Sequence, residues 1–338
     1  AAHSAGVLDI KTTILPDADA LFLTAIDRYG HELWRWTFPV NKLNQANEVL
    51  SPLSNKVTST ETENELTVKA KNHTFIFSKK DGQLKGVSVN NRKISFANGP
   101  RFIGARRADR SLDQFYNHDD EKAKEKDRTY SEFPDAAVFT KLDVKEDGGN
   151  LIVTADYKLG NLDKVQWTIN PNGEAVLDYT YNFSGVVDLM GICFDYPEDQ
   201  VISKRWLGAG PYRVWQNRIH GTQYDVWEND YNDPIPGETF TYPEFKGYFG
   251  SVSWMNIRTK EGTISLTNET PDAYIGVYQP RDGRDRLLYT LPESGISVLN
   301  VIPPVRNKVN STDLCGPSSQ PKWVNGPQSG RIIFRFME

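Results

Sequence analysis

The chain has 338 residues, of which 38% are hydrophobic, 12% aromatic and 25% charged. This composition excludes a disordered chain and fits a folded globular protein of one large domain or two smaller ones. The formal net charge of −5 provides no large cationic surface, so no nucleic-acid partner is expected; no stretch is long or apolar enough for a membrane-spanning helix, so no membrane partner is expected either.

In chain order, the first predicted elements are two strands, 20–26 and 32–38, joined by Asp27-Arg-Tyr-Gly-His31. Residues 1–45 form a pattern of their own. Residues 46–63 are polar, contain Pro52 and read as a linker. From residue 64 onward, short runs rich in β-branched and aromatic residues dominate: 66–70, 75–77, 151–157, 165–169, 176–183, 263–266 and 332–336. Asp81-Gly82, Asn90-Asn91, Asp147-Gly-Gly149 and Asn172-Gly173 mark turns between them, and Asn172-Gly173 predicts a hairpin. No long segment has helical periodicity. The charged stretch Asp119–Lys126 reads either as one or two exposed helical turns or as a loop. Arg101, Arg106, Arg107 and Arg110, offset by Asp109, Asp113, Asp119 and Asp120, predict a solvated, salt-bridged loop. Residues 64–338 carry enough strands for one very large sandwich.

Several kinds of chemistry lack support. Cys193 and Cys315 are the only cysteines, too few for a disulfide framework and without metal-ligand spacing; Cys193 sits in an apolar run and reads as a buried thiol. His3, His31, His73, His118 and His220 are scattered and form no zinc motif, so neither a metal nor a cofactor is expected. Glu228 and Asp230 could act as acid and base only if they faced each other across a bond, and alternate strand positions place both on one surface. His220 with Glu228 is the one pair near the aromatic run that an epimerase could use, and no epimerase motif surrounds it.

The most informative stretch is Trp206-Leu-Gly-Ala-Gly-Pro211 followed by Arg218. It has neither the third glycine of a dinucleotide fingerprint nor the Gly-Lys-Ser/Thr of a phosphate loop. Its glycines allow positive φ or close backbone approach, and Pro211 stiffens the exit. Tyr212, Trp215, Tyr224, Trp227 and Tyr231 lie around it. Two uses of these rings remain open, a buried sandwich corner and a sugar-facing wall.

The Trp206–Pro211 run with Arg218, then Tyr242, Pro243 and Gly247, and upstream the strand–turn–strand 75–84 with Ser78 and Gly82, follow one another as in the C-terminal, small-chain region of family-two glycoside hydrolases of the β-galactosidase type. The resemblance covers residues 64–338 and extends more weakly to the N-terminus. It implies an all-β fold: a large antiparallel supersandwich of the galactose-mutarotase type, preceded by the closing strands of a small immunoglobulin-like β-sandwich. In that family both catalytic carboxylates come from a barrel preceding this region, so the chain alone is expected to be inactive, with the barrel and carbohydrate as its partners. The family's late glycine-rich loop ends in a Trp that reaches the sugar pocket. Trp323 matches that place, although Pro317, Ser318 and Ser319 replace an acidic pair and Pro321-Lys322 is inserted. Trp323, Trp215, Arg218 and Trp227 are thus expected to face sugar, while Trp206, Gly208, Gly210 and Pro211 form a structural motif. A stand-alone carbohydrate-binding module and a mutarotase-like enzyme are the alternatives. The start at Ala1, without Met, reads as a processed or engineered terminus, and the compartment stays open, leaning to the periplasm or the cell exterior.

Overall fold

The computed structural model describes residues 5–7, 9–11, 13, 18–40, 56–107, 130–134, 136–230, 247–277, 292, 294–304 and 316–338. The chain divides into two compact units, Ala1–Pro52 and Leu53–Glu338.

The first unit contains an antiparallel hairpin of β1 (Ala20–Ile26) and β2 (Glu32–Pro39). Asp27 builds its turn: Oδ1 accepts the N–H groups of Tyr29 and His31, and Gly30 adopts a φ of +89° that suits a residue without Cβ. Register places Leu21 opposite Phe38, Leu23 opposite Trp36 and Ala25 opposite Trp34, so one face of the hairpin is wholly apolar. Trp34, Trp36 and Phe38 are exposed on it.

The second unit consists of two antiparallel sheets, with strands numbered in chain order. The nine-stranded sheet runs β10 (Val138–Asp147), β11 (Asn150–Lys158), β12 (Leu162–Ile169), β13 (Ala175–Val187), β21 (Lys322–Met337), β18 (Gly262–Asn268), β17 (Trp254–Thr259), β15 (Val201–Gly210), β16 (Gln223–Asp230). The ten-stranded sheet runs β19 (Tyr274–Gly276), β20 (Ile296–Val301), β14 (Leu189–Asp195), β8 (Ala97–Arg107), β6 (Leu84–Val89), β5 (His73–Ser78), β4 (Glu65–Ala70), β3 (Thr58–Glu61); β7 (Arg92–Ile94) joins β6 and β9 (Tyr130–Glu132) joins β8. Every strand run predicted from the sequence falls inside one of these elements. The turn residues do what their chemistry requires. Asn90 and Asn91 both take positive φ between β6 and β7, and Gly173, at +87°, closes the β12–β13 hairpin.

Alternate residues of both sheets point into one core, as period-two patterning requires. Val153 and Ala155 of β11, Val165 and Trp167 of β12, and Phe334 and Phe336 of β21 meet Val68 of β4, Phe75 and Phe77 of β5, and Phe194 of β14. Trp167 lies 6.3 Å from Phe77, 6.1 Å from Phe194 and 6.0 Å from Phe334, so a single indole joins both sheets. Glu261, in the β17–β18 turn, adds a polar staple: Ser95 donates to it from N and Oγ at 2.9 and 2.6 Å, and the Tyr196 hydroxyl donates at 3.2 Å.

Two expectations change. Residues 58–61, inside the stretch read as linker, form β3 and pair with β4. Arg101, Arg106 and Arg107 lie on β8 rather than in a loop, and Arg101 pairs with Asp195 at 2.7 Å, because β8 is flanked by β14 across Cys193. Residues 109–126, which include the remaining charges and the proposed helical turns, lie outside the described residues.

Candidate functional site

The Trp206 motif is the end of strand β15. Trp206 is fully buried; its Nε1 donates to the Ala209 carbonyl at 3.0 Å, and its ring meets Phe249 edge-on at 4.8 Å. Gly208 and Gly210 are extended, so close approach, and not positive φ, explains them. A Cβ at Gly208 would stand 3.0 Å from Val252 Cα and 3.1 Å from the Gly250 and Ser251 carbonyl oxygens, because residues 250–253 run alongside, hydrogen-bonded through Ala209 N to Gly250 O and Ser253 N to Leu207 O. A Cβ at Gly210 would collide with the Trp227 indole, which lies against this backbone. The Gly210–Pro211 peptide is cis.

Past Pro211 the chain turns back on itself. Val214 exchanges both backbone hydrogen bonds with Tyr248, and residues 215–218 make a tight turn in which Arg218 N donates to Trp215 O at 2.8 Å. Trp215 anchors this turn: its ring is 2% exposed and packs edge-on against Tyr248 at 5.7 Å, in a satellite core with Ile103, Leu189 and Leu299. The expectation that Trp215 faces sugar is therefore corrected, since packing against Tyr248 takes the indole off the surface. Burial also pushes the Tyr248 phenol far above its ordinary range, which keeps it neutral. Trp227 is half-buried, packs against the main core, and donates from Nε1 to the Gln223 carbonyl at 3.0 Å. Arg218, Tyr212, Ile219 and His220 are exposed.

Trp323 is the second residue of β21, not part of a loop, and lies opposite Val186 of β13. Its side chain is 72% exposed. Just before it, residues 317–319 form one turn of 3-10 helix. This turn and the turn at 215–218 are joined by two hydrogen bonds: Gln216 Nε2 donates to the Gln320 carbonyl at 2.7 Å, and Asn217 Nδ2 donates to Ser319 Oγ at 3.1 Å. Two motifs about a hundred positions apart in sequence thus meet at one end of the sandwich. Gln216 and Asn217 were not singled out from the sequence; two adjacent amides at a turn are too common to announce a tertiary contact.

Glu228 and Asp230 are exposed at alternate positions of β16, an edge strand, with Arg205 and Ser203 as cross-strand neighbours. They lie along one surface and do not face each other across a cleft. His220 precedes this strand in an exposed loop. Among the described residues, no three His, Cys, Asp or Glu side chains gather as metal ligands. Cys193 is buried, and burial pushes its thiol up to about 11 despite the nearby Arg101 guanidinium. Tyr231, Tyr242, Pro243 and Cys315 lie outside the described residues.

Two large antiparallel sheets around one core define the class, a large all-β sandwich. The model of the β-galactosidase small chain matches residues 69–303, and the chain belongs to that family. No curated protein matches it. Among solved structures it is similar to galactose 1-epimerase from Lactobacillus acidophilus NCFM, at 10% identity and a TM-score of 0.47, covering 84% of this chain and 99% of that one. It is also similar to a GalM/aldose epimerase homologue from C. elegans, at 7% identity and a TM-score of 0.40, covering 83% and 99%. A putative mutarotase from Salmonella typhimurium matches at 9% identity and a TM-score of 0.37, covering 86% and 95%. At these scores the likeness says nothing of substrate or activity.

Proposed function

We propose that this chain is the non-catalytic C-terminal region of a retaining exo-glycosidase of the β-galactosidase type, supporting a catalytic barrel carried elsewhere in the polypeptide or complex. It contributes one aromatic wall to the carbohydrate site, through Trp323 of β21, with Arg218 of the 215–218 turn and Trp227 of β16 as secondary contacts. The observation that carries this reading is the placement of Trp323: a large apolar ring, mostly exposed, on a strand secured by pairing on one side and by a hydrogen-bonded turn on the other. An exposed indole has no packing reason to be held so firmly, whereas a ring that stacks on the C–H face of a sugar must be held before the sugar arrives. Family membership supports the same assignment. The small sandwich to which β1 and β2 would belong completes the picture, since a two-stranded hairpin with an apolar face needs a second sheet.

The test has two arms. The purified chain should not turn over an aryl β-galactoside. In the enzyme that contains this chain, Trp323→Ala should raise KM and impair turnover while the melting temperature stays nearly constant. Turnover by the chain alone that is abolished by Glu228→Gln would make it an enzyme in its own right, and kinetics indifferent to Trp323→Ala would leave only the supporting role.

A further inference from the structure

Resting on the role proposed for Trp323, we infer that Gln216 and Asn217 are positioning residues for its indole: they pin the turn that leads into it. The holding side is rigid. The 215–218 turn is closed by its own backbone, anchored by the buried Trp215 ring, and tied sideways by Gln216 N donating to the Pro303 carbonyl at 3.0 Å. From this base Gln216 Nε2 reaches Gln320 O, and Asn217 Nδ2 reaches Ser319 Oγ. The held side is short and closed as well: Ser319 N donates to Gly316 O at 2.9 Å and Gln320 N to Pro317 O at 3.2 Å. Trp323 follows three residues later.

The indole is 72% exposed, so its own packing fixes it little. What fixes it is backbone: the ladder with β13, which begins at Lys322 opposite Val187, and the pinned turn immediately before. A strand end paired on one side frays unless the chain entering it is tethered. Gln216 is itself only 7% exposed, and among the described residues its Oε1 has no hydrogen-bond partner. An amide with one arm left unpaired is costly to bury. A hydrophobic residue of similar volume would pack there more cheaply, so the donor is what this position retains.

The test incorporates fluorotryptophan into the chain and assigns the Trp323 fluorine resonance with Trp323→Phe. Gln216→Met keeps the volume and removes the donor; Asn217→Ala removes the second bond. Each should shift or broaden the Trp323 line, while unchanged lines from buried Trp167 and Trp206 report an intact fold. Asn217→Asp should restore the native line, because the Ser319 hydroxyl can donate to the carboxylate. A Trp323 line unmoved by Gln216→Met, or Asn217→Asp as disruptive as Asn217→Ala, would overturn the inference. In the enzyme that contains this chain, Gln216→Met should raise KM for an aryl β-galactoside by about 3- to 10-fold, and by nothing further in a Trp323→Ala background. A Trp323→Ala variant with unaltered KM would sink the sugar-stacking role, while the fluorine line would still decide whether the clamp exists.

Discussion

The two-sheet sandwich and the β1–β2 hairpin use the same residue types to opposite effect. In the sandwich, Phe77, Trp167, Phe194 and Phe334 are fully enclosed, because each sheet covers the apolar face of the other. In the hairpin, Trp34, Trp36 and Phe38 line an equally apolar face that stays open. Binary patterning is sound in both, so the sequence of a strand does not by itself bury its apolar side. A second sheet does, and burial of such area contributes roughly 25 cal/mol per Å² only where that sheet is present.

The largest expected effect breaks the sandwich side of this contrast. Trp167→Ala should cost about 3–5 kcal/mol in urea unfolding, because it empties a site contacted by rings from both sheets. A loss under about 1 kcal/mol would show that the core is looser than its enclosure implies. Next, Gly210→Val and Gly208→Val should each destabilise by about 1–3 kcal/mol, through overpacking against Trp227 and against the backbone at Val252. Thermal midpoints equal to that of the parent chain would contradict the close approach.

A smaller effect concerns the ion pair between β8 and β14. Burial pushes the Asp195 carboxyl up, but hydrogen bonds from Arg101 and Asn98 outweigh it and hold the group below the usual carboxylate range. A depressed folded-state pKa adds stability above the unfolded value of about 3.9, and that stability disappears as pH falls through the folded value. Asp195→Asn should therefore lower stability at neutral pH and flatten its decline below about pH 4, read as the urea midpoint against pH. An unchanged acid limb would remove Asp195 from the acid response.

The smallest effect sharpens the hairpin side. Trp36→Ala should change the stability of this chain by no more than about 0.5 kcal/mol, since the ring is exposed and its cross-strand neighbour Leu23 is only partly buried. In an enzyme that supplies a second sheet, the same change should cost several times more. Equal costs in the two settings would mean that the hairpin face remains open there too.

The sequence by itself determined the class of this protein. Short β-branched and aromatic runs separated by Asn-Asn, Asn-Gly and Gly-Gly turns leave little choice but antiparallel strands, because side-chain alternation and turn chemistry are local properties. The family followed from the Trp206–Pro211 run, and the match over residues 69–303 agrees with it. Tertiary structure decided how that run is used. Whether a glycine is needed for positive φ or for close approach depends on what lies beside it, and here Trp227 and residues 250–253 do. Whether an aromatic ring packs or is presented depends on the layer above it: Tyr248 covers Trp215, while Trp323 stays exposed. The contacts from Gln216 and Asn217 to Gln320 and Ser319 span about a hundred positions of chain, and only the closing of two sheets around one core brings those amides within hydrogen-bonding distance.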